Sequence, residues 1–139
     1  MHLISYLSQA LLVAVASATQ VSFDAGYDDA SRSLNSVSCS DGANGLMTRY
    51  HWQTQGQIPG FPYIGGAQGV TWNSPRCGSC YSIAYRGREI RLLAIDASYN
   101  GGFNIGLRAM DFLTDGNGKQ FGHIEASTRE VPPAECFLR

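Results

Sequence analysis

The segment Pro75-Arg76-Cys77-Gly78-Ser79-Cys80-Tyr81 decides the fold, because it contains two of the four cysteines and leads into the most strand-like part of the chain. An alternating run continues to Tyr85, the turn signal Arg86-Gly87-Arg88 follows, and a more apolar run from Ile90 to Ile95 ends at Asp96. Period-two alternation on both sides of a glycine-containing break predicts a β-hairpin with one face in a core. Asp96 therefore lies where a buried strand reaches the surface, a position suited to ligand recognition or chemistry.

The cysteines predict a small domain braced by disulfides. The chain has 139 residues, enough for one domain and too few for two. Its four cysteines, Cys39, Cys77, Cys80 and Cys136, predict two disulfides in an exported protein, and three pairings are open at this point. A Cys77–Cys80 redox motif would need a βαβ context, and a four-cysteine zinc site would need a second close pair. We therefore favour structural disulfides and expect no metal and no cofactor.

The amino terminus predicts secretion. The stretch from Leu3 to Val15 is mostly apolar and is followed by Ala16-Ser17-Ala18, a pattern that signal peptidase accepts. We expect residues 1–18 to be a signal peptide and residues 19–139 to be the mature extracellular domain, associated with the cell wall. The stretch lacks Lys and Arg, so an ordinary first helix is the alternative interpretation.

Charge and composition favour an uncharged ligand. The formal net charge is −1 and only 15% of the residues are charged, without a basic cluster. This balance argues against nucleic acid as a partner and against electrostatic docking to a membrane. No stretch after the amino terminus has the roughly 20 apolar residues that span a bilayer, so stable membrane insertion is not expected. We expect a monomer or weak self-association.

The remaining elements are predicted from local pattern and turn residues. The glycine-rich composition indicates a β domain with many loops, and the least regular part is residues 48–76. The individual predictions are a first strand over 21–24, a helical turn within 28–34, an alternating segment over 36–39, a loop over 40–45, a glycine-rich loop over 97–104, a helix over 105–113 and a last strand over 122–127.

Catalysis requires more than Asp96. A glycoside hydrolase needs a second carboxylate facing the first, and nothing local pairs one with Asp96. The candidates for that second carboxylate are Asp24, Asp28, Asp41, Asp115 and Glu125. A catalytic triad is disfavoured because the mature chain has only His51 and His123 and no Gly-x-Ser-x-Gly elbow. A weak hydrolase thus stays an alternative to a binding protein.

The motifs of the mature chain resemble those of the cerato-platanins, small secreted fungal proteins. The resemblance covers essentially the whole mature chain and depends on the order and spacing of several motifs together. These motifs are Val21-Ser22-Phe23-Asp24 with Tyr27, Cys39-Ser40-Asp41-Gly42, Asn44-Gly45-Leu46, Ile58-Pro59-Gly60-Phe61-Pro62, Trp72-Asn73-Ser74-Pro75, Cys77-Gly78-Ser79-Cys80-Tyr81, Ile95-Asp96, Gly102-Phe103-Asn104 and Cys136.

The resemblance implies a fold, a disulfide pairing and a site. The implied fold is mainly β with short helices, a six-stranded double-ψ β-barrel with disulfides Cys39–Cys77 and Cys80–Cys136. Members of the family bind chitin or N-acetylglucosamine oligomers in a shallow groove, are described as loosening wall polysaccharide in an expansin-like way without hydrolysis, and elicit plant defences. The ligand-binding residues that we predict are Asp96, Gly102, Phe103, Asn104, Asp24 and Tyr27. Tyr99 and Trp52 are further candidates for stacking on a sugar, and a plant receptor is a further candidate partner.

Overall fold

Six strands closed into a barrel form the centre of the molecule, in a computed structural model that describes residues 17–138. The strands are β1 (Ser17–Phe23), β2 (Ile64–Ala67), β3 (Cys80–Tyr85), β4 (Arg88–Ala97), β5 (Phe103–Ile105) and β6 (His123–Val131). Their order around the barrel is β1-β5-β2-β4-β3-β6. Two of the pairings, β1 with β5 and β2 with β4, are parallel, and the other four are antiparallel. The predicted six-stranded barrel is confirmed.

Short helical segments lie in the connections. The α-helices are α1 (Leu46–Tyr50), α2 (Leu107–Thr114) and α3 (Gly118–Phe121). Short 3₁₀ segments are found at Ala25–Asp28, Leu34–Ser36, Gln55–Gln57 and Pro133–Cys136. Helix α2 buries Ala109, Met110 and Leu113 on its apolar face.

The central hairpin forms as predicted. Strands β3 and β4 pair antiparallel from Cys80 opposite Leu93 to Tyr85 opposite Arg88. The two residues between the strands, Arg86 and Gly87, have φ angles of 48° and 83°. Positive φ at both central positions gives a two-residue turn whose twist matches that of the strands it joins. Local sequence is therefore sufficient to set the register of this hairpin.

Both disulfides have the pairing that the family resemblance implies. Cys39 is bonded to Cys77 and Cys80 to Cys136, closing sequence separations of 38 and 56 residues. All four cysteines belong to the buried core. The first bond ties the segment before α1 to the start of the central hairpin, and the second ties the carboxyl-terminal segment to β3.

Several local predictions were wrong. Residues 36–39 do not form a strand, and Leu34–Ser36 is a 3₁₀ segment instead. The helical turn expected within 28–34 is absent from residues 29–33, which separate two 3₁₀ segments. The long helix begins at Leu107, because Ile105 is the last residue of β5.

The glycine-rich segments contain strands that local pattern did not predict. Strand β2 lies in the part expected to be least regular, and Phe103 and Asn104 of the expected loop belong to β5. Both strands are short, and each pairs with two neighbours.

The predicted signal peptide, residues 1–18, lies outside the described residues except for Ser17 and Ala18, which begin β1. Its cleavage stays a prediction. Within residues 17–138, no helix has the length and apolar character needed to cross a bilayer.

Candidate functional site

Asp96 is held in place by three hydrogen bonds from the protein. Its Oδ2 atom accepts a bond of 2.8 Å from the Tyr27 hydroxyl, and its Oδ1 atom accepts bonds of 2.9 Å from the backbone N–H groups of Ser38 and Ala97. The side chain is partly exposed. An ionised carboxylate has about four acceptor positions, so about one is left for a ligand. Asp96 is therefore both an anchor of the fold and an accessible acceptor.

Four consecutive strands place residues in a row that begins at Asp96. Gly66 of β2 is in register with Asp96 of β4 on one side and with Asn104 of β5 on the other. Asn104 is in turn in register with Ser22 of β1, whose hydroxyl donates to Asn104 Oδ1 at 3.2 Å. Strands lie about 4.8 Å apart, so the row extends roughly 14 Å along the sheet. We call Asp96, Gly66, Asn104 and Ser22 the polar row.

Glycine residues allow close backbone packing in and beside the polar row. A Cβ atom at Gly66 would lie 2.6 Å from the Ala97 carbonyl oxygen, so no side chain fits between Asp96 and Asn104. Gly102, just before β5, has a φ of 58°, and a Cβ atom there would lie 2.0 Å from the Gln20 carbonyl oxygen. Only glycine allows these close approaches of backbone to backbone. The result is a polar surface with a bare backbone at its centre.

Tyr27 forms one side of the site. Its side chain is only 3% exposed, and the Arg32 guanidinium carbon lies 5.4 Å from the centre of its ring. Burial, followed by the negative charge of Asp96 and the hydrogen bond to it, raises the pKa of the Tyr27 hydroxyl well above its usual value. Tyr27 thus stays protonated and donates to Asp96 at any ordinary pH. Arg32 adds a positive charge over the Tyr27 ring, and the sequence did not point to it.

We expect the pKa of Tyr27 to make the protein sensitive to alkali. A group whose pKa is higher in the folded state contributes stability that is complete below the unfolded pKa, about 10 for tyrosine, and is lost as pH rises above it. The free energy of unfolding should therefore fall with rising pH above about 10, and Tyr27→Phe should remove that part of the slope. Urea unfolding over a series of alkaline pH values measures both. An unchanged slope in Tyr27→Phe would contradict this role, and Tyr99→Phe is the matched control because Tyr99 is 86% exposed.

The other predicted ligand-binding residues have different surroundings. Asp24 is exposed, and its Oδ1 atom accepts the Gly26 N–H at 2.8 Å, capping the 3₁₀ segment that carries Tyr27. Phe103 is 7% exposed, and its ring meets that of Tyr81 edge to face, with centroids 4.9 Å apart. Phe103 thus contributes to the core, while Asn104 next to it belongs to the polar row.

The two stacking candidates differ in their surroundings. Tyr99 is 86% exposed in the loop after β4, so its ring is free to meet a ligand. Trp52 is stacked on Tyr50, with ring centroids 4.4 Å apart.

Three of the other candidate carboxylates take part in separate contacts. Asp28 Oδ2 accepts the Arg108 N–H at the start of α2, Asp41 accepts the indole N–H of Trp72, and Asp115 pairs with Arg88. Within the described chain, no group of three or more His, Cys, Asp or Glu side chains is arranged to hold a metal ion. The neighbours of Asp96 that bond to its carboxylate are all hydrogen-bond donors, so this side chain acts as an acceptor.

The row includes residues that sequence reasoning missed. Ser22 and Gly66 belong to it, and His123 of β6 is exposed and in register with Ser22, one strand further around the barrel. Ser22 lies within a motif shared with the cerato-platanins, and this was the available signal for it. Gly66 and His123 lie near the other site residues only because strands that are far apart in sequence pair with each other.

The comparisons with known proteins agree with this architecture. The model of the family described as "Cerato-platanin" matches residues 19–138. This chain belongs to the cerato-platanin family. The matched region of this cerato-platanin begins at the residue that follows the predicted signal peptide.

Characterised relatives and solved structures extend the match. A heat-stable 19 kDa antigen of Coccidioides immitis is 47% identical over 126 residues, covering 90% of this chain and 85% of the relative. An allergen of Aspergillus fumigatus is 49% identical over 117 residues, covering 84% and 75%. The crystal structure of cerato-platanin 2 from M. perniciosa has a TM-score of 0.80 and 44% identity, covering 88% of this chain and all of that one. The solution structure of a protein described as the fungal elicitor cerato-platanin has a TM-score of 0.74 and 33% identity, covering 84% and 95%.

Proposed function

We propose that this cerato-platanin is a secreted, non-catalytic protein that binds neutral wall polysaccharide, such as chitin or N-acetylglucosamine oligomers, along the polar row. The observation that carries the proposal is the register of Asp96, Gly66, Asn104 and Ser22 across four neighbouring strands. Asp96 supplies acceptors, Asn104 supplies both donors and acceptors, and Ser22 supplies a hydroxyl. An extended ligand lying across the strands meets one such group at nearly every strand.

The spacing of the row favours a polymer over a single sugar. Groups about 4.8 Å apart repeat at nearly the length of one pyranose unit in a β-1,4-linked chain. Since the row is open and only partly encloses a ligand, each sugar contributes little, and affinity should grow with the number of units. A net charge of −1 for the whole chain also favours a neutral ligand over an anionic one.

Binding of this kind provides a route to wall loosening without hydrolysis. A protein that exchanges contacts between polysaccharide strands for contacts with itself lets the strands slip, and no covalent bond has to break. The support for a binding role is that Asp96 accepts three hydrogen bonds from protein donors, while Asp28, Asp41 and Asp115 have partners elsewhere.

A titration followed by NMR tests the binding proposal. We expect N-acetylglucosamine oligomers to shift the amides of Gly66, Asn104 and Ser22, with affinity that rises from dimer to tetramer. Asn104→Ala should weaken tetramer binding roughly tenfold, about the loss of one or two hydrogen bonds. Gln120→Ala removes an exposed amide from α3 and is the matched control. Shifts confined to other surfaces, or equal binding by both variants, would count against the polar row.

An assay of reducing ends separates binding from weak hydrolysis. We expect no release of reducing ends from chitin or cellulose oligomers during incubation with the protein. Release that is sustained with the native protein and lost in Asp96→Asn would establish the hydrolase instead. Asp96→Asn is preferable to alanine here because the amide keeps the size of the side chain.

A second candidate function is recognition by another organism. The relatives that match this chain include proteins described as an antigen, an allergen and an elicitor. We propose that this protein is likewise an elicitor, recognised by a plant receptor. An Asn104→Ala variant that loses glycan binding and still triggers defence would show that recognition does not depend on the polar row.

A further inference from the structure

A hollow separate from the polar row lies near the start of β4, the strand that ends close to Asp96. It has a volume of about 310 Å³ and is bordered by Glu89, Ile90 and Arg91 near the start of the strand. Glu89 and Asp96 are seven positions apart along β4, which corresponds to roughly 20 Å of extended chain. Leu93, the lining residue of β4 nearest to Asp96, is three positions from it, and no residue of the polar row lines the hollow. The hollow is therefore separate from the polar row, and an inference about it does not depend on the function proposed above.

Three aromatic side chains border this hollow. Tyr63 and Phe112 meet edge to face with ring centroids 6.5 Å apart, and Phe137 lies on the rim near Gly60. Phe112 is 43% exposed and Phe137 is 70% exposed. Exposed apolar side chains grouped around a concave surface often mark a binding site. We call this site the aromatic hollow.

The backbone holds Phe137 in an unusual conformation. Its φ angle is 68°, in the left-handed region that bulky residues rarely occupy. Its N–H donates to the Ala134 carbonyl oxygen at 3.0 Å, and its neighbour Cys136 is bonded to Cys80. The disulfide and the last 3₁₀ segment thus keep the Phe137 ring at the surface. Residues held in this way are often found at functional sites.

The charged rim of the aromatic hollow carries a negative excess. It consists of two carboxylates, Glu89 and Glu135, and one guanidinium, Arg91, which gives a sum of −1. The Nε atom of Arg91 donates to Glu135 Oε1 at 2.6 Å, and its NH1 group contacts Glu89 Oε2. Glu89 Oε1 and Glu135 Oε2 have no hydrogen-bond partner among the described residues. Each remains available to accept a bond from a ligand.

Two further arginines, Arg88 and Arg129, lie near this rim. A hydrogen bond from Ser82, followed by that from Arg91, lowers the pKa of Glu89, so that carboxylate is ionised at neutral pH. Arg88 lies over the Phe112 ring at 5.6 Å, but it is paired with Asp115. That ion pair adds no net charge, whereas the positive charge of Arg129 also acts on Glu89, so the excess of −1 belongs to the lining residues alone.

We propose that the aromatic hollow binds a small organic cation with a flat apolar body, such as an arylalkyl ammonium compound. Aromatic faces attract ammonium groups through the ring quadrupole, and this attraction is the basis of known aromatic cages. The free carboxylate oxygens accept hydrogen bonds from the ammonium group, while Ile90 and Leu93 supply apolar contact for the body of the ligand. Anions are disfavoured because they bring no donor to the free oxygens of the two carboxylates.

Three probes with one ring system test the class of ligand. They are 2-naphthylmethylammonium, 2-naphthylmethanol and 2-naphthoate, and the readout is the shift of backbone amides in NMR. For a ligand of this size we expect a Kd on the order of 1 mM for the cation. The neutral alcohol should bind more weakly, and the anion at least about tenfold more weakly than the cation. Shifted amides should include Gly60, Tyr63, Ile90 and Phe112.

Variants on the rim decide whether the hollow is the site. Phe112→Ala and Phe137→Ala should each weaken cation binding by roughly tenfold, because each removes an aromatic face. Phe121→Ala, which removes another exposed ring, should bind like the native protein. Glu135→Gln should weaken the cation and leave the alcohol unchanged. Absence of shifts at the hollow, equal binding of anion and cation, or full binding by both Phe112→Ala and Phe137→Ala would overturn the proposal.

Discussion

Replacing Asp96 by alanine is expected to destabilise the fold by about 3 kcal/mol or more, since it leaves several donors without an acceptor. The Tyr27 hydroxyl and the N–H groups of Ser38 and Ala97 all donate to this carboxylate. The Tyr27 ring is almost fully buried, so its hydroxyl has little access to replacement water. The cost of an unpaired buried donor is about 1 to 3 kcal/mol, which sets the expected size of the effect.

Urea unfolding measures this loss against a matched carboxylate. Asp24 is also an aspartate at the edge of the site, but it is exposed, and its Oδ1 atom accepts one local hydrogen bond as a helix cap. Asp24→Ala should therefore cost about 1 kcal/mol. Equal losses in the two variants would show that the contacts around Asp96 contribute little. Asp96→Asn should lie between them, because an amide oxygen can still accept from part of the donor set.

The anchoring role of Asp96 changes how its mutants must be interpreted. If Asp96→Ala lowers stability by this amount, a loss of glycan binding in the same variant does not distinguish a missing contact from a distorted site. Asn104 and Ser22 are better probes, since the side-chain hydrogen bond between them is local to the row and partly exposed. The polar row can thus be tested without removing its anchor.

Local sequence predicts the central hairpin well, for a physical reason. The alternation in β3 and β4 and the turn at Arg86 and Gly87 all lie within one continuous segment. The information that sets the register is therefore contained in neighbouring residues. The position of Asp96 near the end of β4 follows from the same segment and was predicted correctly.

Strand β2 could not be predicted from local sequence because its residues are determined by packing against the neighbouring strands. Gly65 and Gly66 have low strand propensity, yet a Cβ atom at Gly65 would lie 2.3 Å from the Asn104 carbonyl oxygen. The strand exists because β4 and β5 pair with it on both sides. The polar row depends on these same distant pairings, so local pattern did not reveal it.

The alternation over residues 36–39 is typical of a strand, but alternating burial does not produce a strand without a ladder of backbone hydrogen bonds. Val37 and Cys39 are buried, which produces a period of two. The N–H groups of Ser38 and Cys39 bond to Asp96 and to the Ile95 carbonyl oxygen, without forming a ladder along the segment. This segment covers the end of β4 and is held there by Cys39–Cys77.

Removing either disulfide is expected to cost about 4 kcal/mol, because each bond closes a long loop in the unfolded chain. The separations of 38 and 56 residues are long enough for the entropic effect to be large and similar in the two cases. For a domain of this size, about 4 kcal/mol corresponds to a decrease in melting temperature of roughly 15 °C. Paired serine variants, Cys39→Ser with Cys77→Ser and Cys80→Ser with Cys136→Ser, avoid leaving a single reactive thiol. Thermal unfolding with and without reductant measures both losses.

The two pairs should differ in which site they weaken, and this difference separates local support from a general loss of stability. The Cys39–Cys77 bond holds the segment that donates to Asp96, so its removal should reduce glycan binding at the polar row. The Cys80–Cys136 bond lies next to Phe137, so its removal should reduce cation binding at the aromatic hollow. Each measurement belongs well below the melting temperature of the variant. If both variants bound both ligands as tightly as the native protein, the bonds would act only through the unfolded chain. Equal losses at both sites in both variants would contradict local support. Loss at only the neighbouring site in each variant would identify each bond as the support of its own site.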